Sequence, residues 1–520
     1  MLAVRNVLFI MCDQLRADYL GCAGHPWLRT PNIDRLAARG VRFANTFVQS
    51  PVCGPSRMSF YTGRYVTSHG ATWNRVPLSV RELTIGDYLR PAGVRVALAG
   101  KTHVMPDEAG LARFGIEAGS ALDAFLRQGG FEELDRYDGH HPPGRESGYA
   151  EYLRGLGYDS ADPWTDFAIS VEAPGGRVLS GWNMRNVVHP ARVKAEHSET
   201  AYMTDRAITF IESQGEQPWL LHLSYVKPHW PYVAPAPYHN LYDRDHLTSP
   251  IRSETETSSA HPVVSAYRQH EESVNFARDE VIETVKPAYM GLITQIDDEI
   301  GRLMGVLERC GRLDDTLIVF TADHGDFLGD HWLGEKELFY ESALKVPLIV
   351  CDPRAAANDT RGSVDVRMVE SIDLLPTCLD ALNLSIPAHV IEGRSLLPLL
   401  HGRTPEWRDS VVSELDYSFR LARQLLGRGP RECRGIMVRD QRWKFVWWQG
   451  LRPQLFDLGD DPCEFSDRGE DAGCEPVRRR MQDQLLHWLQ ERKLRTTVDD
   501  AWVEGRTNTH RKHGIHYGVW

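Results

Sequence analysis

The chain has 520 residues and a formal net charge of −12. That length can bury a large core and suggests two or more domains, while an acidic balance with pI near 6.0 argues against general nucleic-acid binding, which wants a basic face. The nine cysteines lack C-x-x-C spacing, so neither a zinc knuckle nor a disulfide framework is indicated. No apolar run approaches the roughly 18 residues of a membrane span, and the run before Asp13 is too short for a signal peptide, so a cytoplasmic protein without a membrane partner is expected.

In chain order, the apolar run Val7 to Cys12 reads as a buried parallel strand that ends in Asp13-Gln14. Ligands of open α/β sheets gather beyond the carboxyl ends of strands, which places Asp13 well for chemistry. A helix follows, with Thr30 as N-cap, Pro31 at its first position and Gly40 as its stop. In Ser50 to Arg64, Pro51, Gly54 and Pro55 predict irregular chain up to Pro55 and a helix over Ser56 to Tyr61, stopped by Gly63. Cys53 then precedes a helix N-terminus, where free N–H groups favour an anion, and Arg57 returns a guanidinium towards it. Taken alone, such a cysteine is more often a buried structural thiol.

Val94 to Ala99 reads as a strand that delivers Gly100-Lys101-Thr102-His103. Residues 106–197 are weakly patterned and read as an elaboration of the core, a lid or subunit contact, and within them His140-His141 reads as a surface loop rather than a metal site. A helix from Ser198 to Ser213 leads to the strand Trp219 to Val226 and the proline-stiffened loop Lys227-Pro228-His229-Trp230-Pro231. Val281 to Arg309 is a long helix with an interruption expected at Pro287, and Thr316 to Ala322 is a strand entering Asp323-His324-Gly325-Asp326. Leu344 to Val350 reads as the next strand and Glu370 to Leu384 as the next helix. After Leu400, three short strands and a closing helix, with Leu485, Leu486 and Leu489 on its core face, indicate a smaller antiparallel domain. The expected organisation is a catalytic domain over 1–400, a C-terminal domain over 401–495 and a tail over 496–520 that contacts a neighbouring subunit of a homo-oligomer.

Polar residues thus collect at several strand ends: Asp13-Gln14, Lys101 with His103, His229, and Asp323-His324. Two carboxylates and a histidine from distant strands can hold a divalent metal and leave a position open for nucleophile and substrate. Cys53-Gly54-Pro55-Ser56-Arg57 resembles the sulfatase signature, in which the cysteine is oxidised to Cα-formylglycine and its hydrated aldehyde is the nucleophile. Together with Thr30-Pro31-Asn32-Ile33-Asp34, the two aspartate strands, Lys101-x-His103, the His229 loop and Lys336, it is similar to the sulfatase branch of the alkaline phosphatase superfamily, including its phosphonate monoester hydrolases.

The resemblance implies an alkaline-phosphatase-like large mixed α/β sheet flanked by helices, with a smaller C-terminal α+β domain containing a four-stranded antiparallel sheet. It implies that Asp13, Asp323, His324 and formylglycine 53 bind one divalent metal. Arg57 and Lys101 would hold the nucleophile and the sulfuryl oxygens, Asn74, Gln14 and Lys336 would contact substrate, and His103 and His229 would manage protons. One hydroxyl of the hydrated aldehyde attacks sulfur and expels the alcohol, and the other loses its proton so that the hemiacetal collapses to sulfate and aldehyde. The partners implied are an anionic ester substrate and a formylglycine-generating enzyme during maturation.

The departures from the pattern are informative. Many calcium-dependent sulfatases have a second aspartate at Gln14 and an asparagine at His324, so this site is softer and favours Mn²⁺, with Zn²⁺, Fe²⁺ or Ca²⁺ as alternatives. The Asp-Gln and Asp-His pairs match the phosphonate monoester hydrolases, whereas Lys101-x-His103 is the sulfatase arrangement. The sequence therefore points to a sulfatase with promiscuous phosphonate monoester and phosphodiester activity. The alternatives are a phosphonate monoester hydrolase or phosphodiesterase with the same nucleophile, and a silent binding protein with Cys53 unmodified.

Overall fold

The computed structural model describes residues 4–139, 147–258 and 260–519, so the His140-His141 loop lies outside the described residues. The strands in chain order are β1 (Asn6–Asp13), β2 (Val41–Phe47), β3 (Arg95–Gly100), β4 (Glu132–Arg136), β5 (Ser170–Ala173), β6 (Arg177–Ser180), β7 (Trp219–Pro228), β8 (Thr316–Ala322), β9 (Lys345–Val346), β10 (Leu348–Cys351) and β11 (Val364–Glu370). The C-terminal part adds β12 (Ser410–Asp416), β13 (Arg434–Asp440), β14 (Trp443–Trp448) and β15 (Gln454–Asp457).

A nine-stranded mixed sheet has the order β11-β2-β10-β8-β1-β7-β3-β4, with β9 paired to β2. Its centre is parallel: β1 lies between β7 and β8, and β3 pairs with β7. Every residue of β1, β7 and β8 is buried, as the central strands of a sheet covered by helices on both faces require. Because these strands run the same way, Asp13, Lys101, His229 and Asp323 all emerge at one edge.

The predicted strand Leu344 to Val350 is split at Pro347, which has no N–H for a ladder, and β10 runs antiparallel to β8. The predicted helix from Glu370 starts at Leu374 instead, because Val364 to Glu370 form β11 alongside β2. The long helix is unbroken over Asp279–Arg309 with Pro287 inside it, its apolar face held against the helix Glu199–Ser213 and β7. Strand β4, with sequence EELDR, escaped the hydrophobic pattern because it is a charged edge strand.

The smaller antiparallel sheet has the order β12-β13-β14-β15 and is covered by the helix Glu475–Gln490. Of the three leucines assigned to that helix's core face, only Leu485 is buried. Leu486 and Leu489 are exposed, and Met481 and Trp488 complete the stripe. Among the described residues no helix is long and apolar enough to cross a membrane.

Candidate active site

The helix that carries Cys53 spans Cys53–Thr62 and so begins earlier than its prolines suggest. Pro55 is accommodated because it falls in the first turn, where a missing N–H would have no helical partner anyway. Cys53 is therefore the first helical residue, not a loop residue, and all ten residues of the helix are buried. Val52 contributes no capping side chain. Asn74 takes that role, its Oδ1 accepting from the Gly54 N–H at 2.7 Å. A Cβ on Gly54 would come within 2.9 Å of that oxygen, so the close approach needs glycine.

Asp13, Cys53, Asp323 and His324 each offer one ligand atom, and these atoms lie within 4.8 Å of one another in a fully buried cluster. Cys53 Sγ is 3.0 Å from His324 Nε2 and 3.8 Å from Asp13 Oδ1, and His324 Nε2 is 3.7 Å from a carboxylate oxygen of each aspartate. His324 Nδ1 is 2.9 Å from the Gly325 carbonyl, an oxygen that only accepts, so Nδ1 carries the proton and Nε2 presents its lone pair to the cluster. Burial lowers the His324 pKa and keeps the imidazole neutral, as a ligand must be. Burial alone would raise Asp13, but Lys101, His229, Arg57 and His324 together hold its carboxyl well below the usual range. Two carboxylates, one neutral imidazole and the side chain at position 53 make a donor set that fits a divalent first-row cation.

Cations surround this cluster. Lys101 Nζ lies 2.5 Å from Asp13 Oδ2. Arg57 donates from Nε to Asp323 Oδ2 at 2.7 Å, from Nη1 to the Lys101 carbonyl and Ser224 Oγ at 2.8 Å each, and from Nη2 towards Asp13 Oδ2 at 3.3 Å. Its donors thus brace both carboxylates of the cluster. Lys336 Nζ donates to Gln14 Oε1 at 2.9 Å and lies 3.1 Å from His229 Nε2. Burial would depress Lys336, but its carboxylate neighbours Glu335, Asp13 and Asp323 help raise it above its ordinary value, so it stays an ammonium. Gln14 Nε2 donates to Asp326 Oδ2, which also accepts from Tyr232 at 2.7 Å, and this fixes the carboxamide oxygen towards Lys336.

Several of these side chains are aimed by left-handed backbone at non-glycine residues: Gln14 (φ 67), His103 (φ 58), and Glu335 (φ 62) and Glu337 (φ 95) on either side of Lys336. Such conformations cost about 1–3 kcal/mol each and cluster at functional sites. The His103 loop is anchored by Asp138, whose Oδ1 accepts from the backbone N–H of Thr102 at 3.0 Å and of His103 at 3.3 Å. Asp138, Ser224, Tyr232 and Asp326 escaped sequence reasoning. Asp326 alone carried a signal, standing three residues after Asp323. The others meet the site only through tertiary packing.

The encoded thiol is a poor nucleophile: burial, and then the Asp13 charge, push Cys53 up to about 12 against the pull of Lys336 and Lys101.

The sulfatase family profile matches residues 5–384, and that of the C-terminal region of N-sulphoglucosamine sulphohydrolase matches residues 329–491. The chain is 34% identical to the multifunctional alkaline phosphatase superfamily protein PehA of Trinickia caryophylli, across 93% of this chain and 95% of that one. It is 29% identical to an arylsulfatase of Clostridium perfringens, across 89% of each. Among solved structures, the phosphonate monoester hydrolase of Silicibacter pomeroyi superposes with a TM-score of 0.82 at 32% identity, covering 94% of this chain and 95% of that chain.

Proposed function

The chain belongs to the sulfatase family, and from that premise we propose that it hydrolyses aryl or alkyl sulfate monoesters with a formylglycine derived from Cys53, and phosphonate monoesters and phosphodiesters as secondary substrates. The observation that carries this reading is the buried Asp13, Cys53, Asp323 and His324 cluster with Lys101 and Lys336 beside it. Those four residues would hold a divalent ion, which supplies positive charge to the ester oxygens and lowers the pKa of the attacking hydroxyl. The hydrated aldehyde supplies that hydroxyl and, through its second one, an exit that releases the acid without a further attack by water.

The remaining work falls to this chain's own side chains. Lys101 places a fixed ammonium against the reacting anion, and Arg57 keeps both aspartates in place. Lys336 and His229, 3.1 Å apart, share the proton that neutralises the leaving oxygen. His103 is the reading for the proton taken from the second hydroxyl, and Asn74, which caps the nucleophile's helix, orders the substrate side of position 53.

Manganese is the preferred ion, with zinc or calcium as alternatives, because an imidazole replaces a carboxylate in the donor set. Maturation needs a formylglycine-generating enzyme. The exposed Ile515, Tyr517 and Val519 of the tail support a subunit contact in a homo-oligomer, and nine cysteines, none in a disulfide among the described residues, suit a reducing, cytoplasmic compartment.

The second reading, a phosphonate monoester hydrolase first, is favoured by the likeness to the Silicibacter structure. Comparing kcat/KM for an aryl sulfate and an aryl phosphonate monoester decides between them. A much higher phosphonate value would overturn the sulfatase preference, and no hydrolysis of either by matured, metal-loaded protein would overturn both.

A further inference from the structure

The elaboration over residues 106–197, which anchors the His103 loop through Asp138, also reaches the site at His229, where it packs on a buried ion pair. Glu199 opens the helix Glu199–Ser213, and Lys227 lies near the end of β7. The two are 7% and 5% exposed, with Lys227 Nζ 3.1 Å from Glu199 Oε1. The same ammonium donates to the Pro231 carbonyl at 2.8 Å and the His229 carbonyl at 3.4 Å, so its hydrogen bonds clamp the backbone of the His229 loop. The other Glu199 oxygen accepts from Tyr137 at 2.7 Å and from Trp164 Nε1 at 3.3 Å, both supplied by the elaboration.

A second path leaves Trp164. Its ring meets Trp182 at 6.1 Å, Trp182 meets Trp230 at 5.5 Å, and Trp230 lies 4.7 Å from the His229 ring. Glu199 therefore holds His229 from two sides, through the Lys227 clamp on its backbone and through a run of indoles on its ring. The imidazole is further fixed by the Trp230 carbonyl, 2.7 Å from Nδ1, which turns Nε2 towards Lys336.

We propose that Glu199 and Lys227 are positioning residues that set His229 against Lys336, and that the elaboration acts on the reaction through them. The inference rests on the reading of His229 and Lys336 as the groups that neutralise the leaving oxygen. A buried ion pair is weak evidence for stability, since a neutral pair of the same shape often serves as well. Its consequence lies in geometry, because a displacement near 1 Å in a reacting group can cost about 100-fold in rate.

The test is the double variant Lys227→Met with Glu199→Gln, which removes both charges together and leaves neither buried alone. With matured enzyme, kcat/KM is measured for the 4-nitrophenyl and the phenyl ester of one acid. Nitrophenolate departs without a proton, so its ester should be unchanged within about twofold, whereas the phenyl ester should slow by about 10- to 100-fold with an altered pH profile. Lys227→Arg, which keeps the cation, should retain most of the phenyl ester rate. Equal losses on both esters, or no loss on either, would overturn the positioning role while leaving the proposed function standing. Failure of the wild type on both esters would instead overturn the function. Should the double variant not fold, Tyr137→Phe and Trp164→Phe each remove one hydrogen bond to Glu199 and carry the same comparison, with a smaller selective loss.

Discussion

Lys101→Met keeps the length of the side chain and removes the cation nearest Asp13. Lys101 Nζ is 2.5 Å from Asp13 Oδ2 with both side chains fully buried, and Arg57 Nη2 remains on the same oxygen at 3.3 Å. Breaking a buried pair costs about 3–5 kcal/mol when the remaining charge is uncompensated, so with Arg57 in place the low end, about 3 kcal/mol, is expected in urea unfolding. Loss of one fixed charge at the reacting oxygens should lower kcat for an aryl sulfate about 100- to 1000-fold. The pH dependence has a definite sign. Asp13 is held well below its ordinary pKa, against burial, chiefly by Lys101. A carboxyl depressed in this way stabilises the fold above its unfolded pKa and loses that contribution as pH falls through the folded value. Without Lys101 the Asp13 pKa rises, so activity and metal retention should fail at a higher pH on the acid side. The assay is kcat/KM across the acid limb, with metal content measured on the same samples. A loss below about tenfold with metal retained would refute the charge role, as would a loss wholly restored by added metal.

Three further perturbations test other parts of the site. Mass spectrometry of the peptide containing residue 53, from cells with the maturation enzyme, should show the aldehyde, and Cys53→Ala should abolish turnover with the fold intact. Retained activity in that variant would refute the nucleophile. Asn74→Ala leaves the buried Gly54 N–H without its 2.7 Å acceptor and should cost about 1–3 kcal/mol in urea unfolding, whereas an unchanged midpoint would show that another group caps this helix. Gln14→Asp restores the carboxylate of calcium-dependent relatives, so metal analysis after loading with equal Mn²⁺ and Ca²⁺ should shift towards calcium. Because Asp326 is buried beside residue 14 and its own carboxyl is already raised by burial, Gln14→Asp with Asp326→Asn should show that shift with less loss of stability. An unchanged metal ratio in both variants would remove Gln14 from the selectivity argument.

Much of the site was legible because its chemistry is written in short local patterns. The continuous apolar run of β1 and the apolar-rich stretches of β7 and β8 announce strands, and the residues that follow such strands in a parallel sheet must meet at one edge. That is enough to gather Asp13, His229 and Asp323 at one edge. Misreadings came where local pattern competes with packing. Pro287 predicts a helix interruption, but its long helix continues because it is held along its length. Pro55 predicts a helix that starts only at Ser56, whereas a proline in the first turn lets the helix begin at Cys53. The charged strand β4 carries no hydrophobic period to detect.

The sequence by itself determined which chemical groups are available: a cysteine in a sulfatase-like motif, two carboxylates, a histidine and two lysines. These follow from residue identity and strand direction, which one chain carries locally. Only the tertiary structure decided how each group is held. Arg57 directs its donors to Asp13 and Asp323, Gln14 is locked between Asp326 and Lys336, and Asn74 caps the helix that begins at Cys53. Those partners lie tens to hundreds of residues apart, and a buried polar group takes whichever partner the packed core brings within hydrogen-bond reach. No periodicity along the chain encodes that choice, and for the same reason the bracket of Glu199 and Lys227 around His229 appears only once the chain is folded.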